Sequence, residues 1–395
     1  MKSLSQKHSD IEASLTLAIS AEAKALKAQG KNVISLASGE PDFKAPAFVR
    51  SQAQDAIENQ PITYTSADGL KALREAIANN VKATLNVDYT PDQILVTNGA
   101  KQALYNALQV ICEPGDEVLV IKPHWVSYIP LIKLAGATPI SVACKPDYQP
   151  DLDAFDQALS AKTKAVIINS PNNPTGAIYT RSVLKHISEK ALEHDFFILS
   201  DEIYSELTYE QDHLSILEVE KRIYDQTLLI NGFSKTYAMT GYRLGYVAGN
   251  KKLINLMKRL QSHASSNVNT IAQYAGLAAL SLDQTAIKPM LDAYTKRRDK
   301  ALKRFEAIPQ IKAYKPQGAF YLWLNVEAII GKRYLETKIA SAFDLAKLLL
   351  KEKHVALIPG EAFGLENHLR FSIATSEADI ETGIERLNAF CKALK

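Results

Sequence analysis

Two patterns of apolar residues divide this chain. Short, nearly continuous apolar runs recur at residues 94–97, 117–121, 165–169, 196–200 and 227–230, each ending in turn-forming or polar residues. Runs of that length, rich in Val, Ile and Leu, are the pattern of strands covered on both faces. Around them lie segments whose apolar positions fall three or four apart, which predict helices over residues 70–84, 101–111 and 269–280. Residues 16–29 read as an amphipathic helix with Leu17, Leu26 and interspersed alanines, stopped by Gly30; a short strand at 32–36 and a turn at 39–42 follow. The charged stretch 296–308 is expected to be a long helix leaving the main sheet. Beyond it strands at 319–324, 354–358 and 368–374 alternate with helices at 343–351 and 377–394. This alternation predicts an α/β fold, a large domain of mostly parallel sheet flanked by helices and a smaller discontinuous α/β domain. The expected division is an amino-terminal segment 1–45 belonging partly to the small domain, a large domain 46–289, and a carboxy-terminal small domain 290–395.

Composition narrows the function classes. A chain of 395 residues exceeds one compact core, and 47% hydrophobic residues suffice to fill two. The formal net charge is only +3 and no basic block stands out, which disfavours nucleic-acid binding, since a phosphate-neutralising surface needs clustered cations. Cys112, Cys144 and Cys391 are far apart and odd in number, a pattern of a reducing compartment rather than a disulfide framework. His186 and His194 lack the Cys or carboxylate spacing that closes a zinc shell. Residues 1–11 contain no apolar signal core and nowhere do eighteen apolar residues run together, so a soluble cytoplasmic protein without a membrane partner is expected.

Candidate chemistry gathers behind three of the apolar runs. The first leads into Ser170-Pro171-Asn172-Asn173-Pro174-Thr175-Gly176, the second into Asp201-Glu202-Ile203-Tyr204, and the third into Gly232-Phe233-Ser234-Lys235. Asn173 to Asp201 is 28 residues and Asp201 to Lys235 is 34, each the length of a β-α unit with its return, so the three loops are expected along one carboxyl edge of a parallel sheet. Ligands of open α/β sheets bind at that edge. A lysine delivered by a buried strand loses hydration, which lowers its pKa and leaves an amine able to attack a carbonyl. Arg243, eight positions later, is placed to fork onto a phosphate. An acid for a ring nitrogen, an amide for a phenolic oxygen and an amine for an aldehyde are together what pyridoxal 5'-phosphate requires. Singly, each residue has a plainer use: Asp201 as a helix N-cap, Asn173 as a turn former, Lys235 and Arg243 as surface cations.

With these residues stand Ser38-Gly39-Glu40-Pro41-Asp42-Phe43, Tyr64 before Gly69, Asn98-Gly99-Ala100-Lys101-Gln102-Ala103-Leu104, Trp125-Val126-Ser127-Tyr128, Gly318-Ala319-Phe320-Tyr321 and Leu369-Arg370-Phe371-Ser372. In that order and separation they resemble the fold type I, class I and II aminotransferases, and among them the bacterial aspartate aminotransferase branch. The resemblance runs over nearly the whole length. It implies a homodimeric enzyme with pyridoxal 5'-phosphate bound to Lys235, Asp201 on the ring nitrogen, and Tyr204 with Asn173 on the phenolic oxygen. It makes Trp125 the plate stacked on the ring, a residue that by position alone reads equally as core. Gly99, Ala100 and Lys101 open a helix whose amides suit a phosphate, with Ser234 and Arg243 completing the cup. Tyr64 is implied to reach the neighbouring subunit's phosphate.

On the substrate side the resemblance assigns the α-carboxylate to Arg370, which otherwise reads as a surface arginine, with Asn173, Trp125 and a close backbone approach at Gly39. Lys101, Ser14 and Thr16 are implied for a distal carboxylate. Gly232 stands where other branches place a serine, so the phosphate is expected to depend more on Arg243. The implied reaction is ping-pong transfer of an amino group from an L-amino acid, with aspartate leading, to 2-oxoglutarate, Lys235 moving the proton. An aromatic or prephenate aminotransferase, or a lyase using the same cofactor, would share these catalytic residues.

Overall fold

The computed structural model describes Ser9, Ile11 and residues 15–395. Its centre is a seven-stranded sheet whose strands lie in the order Ile94–Thr97, Gly245–Ala248, Thr227–Gly232, Phe197–Asp201, Thr163–Asn169, Glu117–Ile121, Thr138–Val142. Gly245–Ala248 alone runs antiparallel to its neighbours within this sheet. The uninterrupted apolar runs have the expected cause. Helices such as Lys71–Leu85 and Ala100–Ile111 contribute residues to two separate apolar clusters, each of which also takes side chains from the central strands. A fully buried Leu or Ile there contributes about 1.5–3 kcal/mol.

Register brings the three candidate loops together. Asn169 pairs with Asp201, and Asp201 with Ile230, so the first two strands end side by side while the third continues to Gly232. Asn169 fastens the edge: its Nδ2 donates to the Asp201 carbonyl at 2.9 Å and its Oδ1 accepts from the Asn173 amide at 2.8 Å.

The second crossover departs from the expected β-α unit. Helix Arg181–His194 joins the first two strands, but between Asp201 and Thr227 only a four-residue helix, Ile216–Val219, and a 3-10 turn occur. The intervening chain docks elsewhere. Leu207 accepts from the Ala319 amide at 2.8 Å, and the Tyr209 hydroxyl donates to the Ala319 carbonyl.

A second sheet orders Ile358–Pro359, His368–Ser372, Tyr321–Asn325 and Lys312–Tyr314. The expected strand at 354–358 is divided, because Val355–Ala356 pairs with Ile34–Ser35 while Ile358–Pro359 pairs with the strand bearing Arg370. The long charged helix is Lys288–Phe305, starting well before 296. Its buried stripe of Met290, Tyr294, Arg298, Ala301 and Phe305 shows why charge alone misplaced it: the apolar positions are sparse and one is an arginine. Ile34 and Leu36 share an apolar core with side chains from 290 to 391, and the amides of Leu36 and Ser372 bond in succession to Ala356 and Leu36 carbonyls at 3.0 and 2.8 Å. That pairing carries Ala37 to Gly39 to the edge of the main sheet.

Candidate active site

A cavity of about 870 Å³ lies where the carboxyl edge of the main sheet meets the second sheet and helix Leu15–Ala28. Asp201, 4% exposed, stands on its wall. Burial pushes its carboxyl up to about 6, against the opposing effect of two donors, the Tyr128 hydroxyl at 2.6 Å and the Ile203 amide at 3.3 Å. A cationic ring nitrogen arriving there would keep it ionised, by the same Coulomb logic that burial opposes. Lys235 is half-buried and donates from Nζ to the Gly39 carbonyl at 2.5 Å. Desolvation brings its ammonium down to about 8; Glu40 opposes this, Arg370 and Arg243 assist. Roughly a tenth of the group is therefore free amine at pH 7, far more than for an ordinary lysine, and that is the state that attacks an aldehyde.

The anion-binding side is built on helix Ala100–Ile111. Its first-turn amides at Ala100 and Lys101 take no carbonyl partner among the described residues, as expected of a helix start. Gly99 has φ 78°, and a Cβ on it would lie 2.7 Å from an Arg243 guanidinium nitrogen, so the glycine is what lets that side chain close over the loop. Arg243 donates to the Thr240 carbonyl at 3.0 Å and the Asn98 carbonyl at 3.3 Å. Ser234 is buried on the same wall. Gly232 also has a steric reason to lack a side chain. A Cβ there would meet Gly245 Cα at 2.9 Å and the Leu244 carbonyl at 3.0 Å, so the position faces the neighbouring strand.

On the opposite side Arg370, 4% exposed, donates to Asn173 Oδ1 at 3.1 Å and to the Ala37 carbonyl at 2.9 Å, while its Nε has no partner. A buried guanidinium with an unused donor is an anion site in waiting, because desolvated charge without a counter-ion is costly. It is not the surface arginine that its position alone implied. Lys101 extends its Nζ over the Trp125 ring, 4.9 Å from the centroid; burial, then Arg243, lowers its pKa. Gly39 needs no special space from the protein itself, since a Cβ would meet only the Tyr321 hydroxyl at an ordinary 3.5 Å.

Of the residues singled out in the sequence, the cavity wall gathers Lys235, Asp201, Tyr204, Asn173, Trp125 and Arg370, together with Ala100, Lys101, Ser234, Arg243, Gly39 and Thr16. Gly99 backs the guanidinium of Arg243. Ser14 lies outside the described residues, and Tyr64 does not line this cavity, being 90% exposed. Tyr128 and Glu40 are among the wall residues for which no role was foreseen. Tyr128, whose hydroxyl holds Asp201, sits three residues after Trp125 in a segment already conspicuous for its aromatics. Glu40 faces Lys235 electrostatically and accepts from Thr240 at 2.9 Å; only its adjacency to Gly39 could have pointed to it. Among the described residues no cluster of His, Cys, Asp and Glu is arranged to hold a metal ion, and no helix is long and apolar enough to cross a membrane.

An amine, a buried carboxylate, a cup of free amides beside an arginine, and an under-used buried arginine fit pyridoxal 5'-phosphate and a carboxylate-bearing substrate. Known proteins similar to this chain agree. The sequence pattern of the family "Aminotransferase class I and II" matches residues 31–387. The aspartate aminotransferase of Bacillus sp. (strain YM-2) is 44% identical over 382 residues, 96% of each chain. The aspartate/prephenate aminotransferase of Thermus thermophilus is 38% identical over 98% of each. The crystal structure of the aspartate aminotransferase of Rhizobium meliloti superposes with a TM-score of 0.96 at 35% identity, covering 100% of both chains. Wall chemistry, sheet topology and these likenesses lead to one assignment: the chain belongs to the class I and II aminotransferases, fold type I enzymes dependent on pyridoxal 5'-phosphate.

Proposed function

We propose that this aminotransferase takes the amino group from L-aspartate and passes it to 2-oxoglutarate in two successive half-reactions at one site. The observation carrying this reading is a cavity with two cationic poles, Arg370 beside Asn173 and Lys101 over Trp125, with Lys235 and Asp201 on the same wall. A dicarboxylic amino acid presents two anions to match them, and a bidentate fork at Arg370 would orient the α-carbon. Thr16 and Ser14 are assigned to the distal carboxylate alongside Lys101.

Each residue then has a physical task. Asp201 holds a proton on the ring nitrogen by its negative charge, and Tyr128 holds Asp201. Tyr204 and Asn173 hydrogen-bond the phenolic oxygen. Trp125 packs on the ring face, and Gly99, Ala100, Lys101, Ser234 and Arg243 receive the phosphate. The cofactor supplies a ring able to accept the electron pair left when the α-proton departs. Lys235 Nζ would take that proton as a general base and return it as an acid, a task suited to a group brought down to about 8.

The reading includes a homodimer in which Tyr64 serves the partner's phosphate. Its 90% exposure supports this, as do the exposed apolar side chains of Phe48, Ile57 and Ile62 nearby in sequence. It includes the division into segments 1–45, 46–289 and 290–395, supported by the core shared between Ile34, Leu36 and the carboxy-terminal residues. A cytoplasmic setting is supported by three unpaired cysteines.

Adding L-aspartate to the holoenzyme tests the substrate. The visible cofactor band should convert to that of the aminated cofactor, and 2-oxoglutarate should restore it. A second reading, wider acceptance including prephenate or aromatic amino acids, is favoured by the name of the Thermus relative. A band that ignores aspartate but responds to phenylalanine would replace the first reading with the second.

A further inference from the structure

We propose that Tyr321 is a positioning residue serving the cofactor side and the Arg370 side of the site at once, donating its hydroxyl proton to Tyr204 and setting the plane of the Arg370 guanidinium with its ring. Tyr321 opens the strand Tyr321–Asn325, opposite Ser372 in register. Arg370 is two residues from Ser372 on the same face of the neighbouring strand, the diagonal position from which a long side chain reaches an aromatic ring. The contact is made: the guanidinium carbon lies 4.4 Å from the Tyr321 ring centroid and 5.1 Å from that of Phe363, so the fork packs against two aromatic rings. Its in-plane bonds to Asn173 and Ala37 leave Nε unused. The rings thus determine which way the free edge of the fork turns.

The hydroxyl of the same side chain crosses to the other sheet. It lies 3.0 Å from the Tyr204 hydroxyl, and both phenols are buried, Tyr321 to 1%. A phenol has one proton to donate. If Tyr204 donates to the cofactor's phenolic oxygen, its own oxygen is left to accept, and Tyr321 is the hydrogen-bonded partner able to supply that bond. Accepting a hydrogen bond makes Tyr204 a stronger donor, since successive bonds polarise one another. The charged groups acting on this pair are Asp201, Arg370 and Glu40, with Lys235 Nζ 6.0 Å from the Tyr204 ring centroid. None of these supplies a hydrogen bond to the Tyr204 oxygen. One tyrosine thereby couples recognition of the substrate carboxylate to the electronic setting of the cofactor.

The inference rests on the proposed cofactor contact of Tyr204 and the carboxylate role of Arg370, and two variants of the holoenzyme separate its halves. Tyr321→Phe keeps the ring and removes the hydroxyl. A donor on the phenolic oxygen withdraws negative charge that would otherwise hold a proton on the nitrogen joining Lys235 to the cofactor. The pH midpoint of the visible band should therefore rise by about 0.5 unit. Affinity for succinate, an unreactive dicarboxylate, should stay within about twofold because the ring face remains. Tyr321→Leu removes both, and should add a five- to tenfold rise in the succinate Kd, about the loss of one desolvated cation-π contact. A midpoint unmoved in Tyr321→Phe overturns the hydroxyl relay, whatever becomes of the leucine variant's fold. Phenylalanine and leucine variants with equal succinate affinity overturn the ring's role. Failure of the wild-type enzyme to bind succinate would count against the aspartate reading and against the dicarboxylate arm, while the midpoint still decides the relay.

Discussion

The two arginines of this site sit in opposite surroundings. Arg243 lies exposed at the close of a turn in positive φ, bonded to two backbone carbonyls and backed by a glycine that makes room for it. Arg370 is buried in the second sheet, packed against two rings, with one donor unused. The difference teaches how the cavity divides its work. The side proposed for the phosphate is assembled from neighbouring segments of one sheet edge, and water screens its charge. The side proposed for the substrate carboxylate is assembled from segments more than three hundred residues apart, as the Arg370 to Ala37 bond shows, and its charge is desolvated. Losses on the buried side should be steep and specific; losses on the exposed side should be graded.

The largest effect expected lies between the two sides. Lys235→Ala should lower the rate of amino transfer by on the order of 10⁴-fold or more, since it removes both the attachment point and the general base. Stopped-flow measurement of the half-reaction with aspartate checks this, and borohydride reduction should leave no cofactor on the peptide spanning position 235. Next comes Arg370→Lys, which retains charge but loses the fork. A fall in kcat/KM of about 10- to 100-fold is expected, with the visible spectrum of the bound cofactor unchanged. An equal loss of cofactor affinity would erase the contrast between the sides.

Lys101→Ala sharpens the same contrast on the substrate's far end. KM for aspartate should rise by about tenfold, the scale of one charge-assisted contact, while phenylalanine is affected far less. Similar losses with both substrates would assign Lys101 to the phosphate alone. The smallest signal is a matter of pH. In the cofactor-free protein, reductive methylation of Lys235 should rise with pH by about tenfold per unit below its midpoint and level off above about 8. Burial favours the neutral amine, so the unfolded chain binds the extra proton between about 8 and the ordinary 10.5, and this group's contribution to stability grows as pH rises through that window. Mass-spectrometric quantitation against an exposed lysine such as Lys71 gives the comparison; a shared midpoint would mean that Lys235 is fully hydrated.

Much of the cofactor side was legible because its residues follow strands whose apolar runs announce themselves, as Asn173 and Asp201 do. Tyr128 was in plain view but without a task, since nothing in Trp125 to Tyr128 states that a hydroxyl will meet a carboxylate 73 positions later. Gly232 invited a chemical explanation and has a steric one, visible only when Leu244 and Gly245 lie against it. The missing crossover helix before Thr227 follows from docking of Leu207 and Tyr209 onto Ala319, a long-range contact without local signature.

From the sequence alone came the alternation of strands and helices, the parallel edge and the placing of Asp201 and Lys235 behind strands of that edge, because these depend on periodicity and on residues within a few positions of a strand end. The resemblance named Arg370, but tertiary structure alone decided the surroundings of its charge. Its burial, its aromatic neighbours and its spare donor arise from partners at 37, 173, 321 and 363. Desolvation is a property of everything packed around a charge, and no local stretch of residues contains that information.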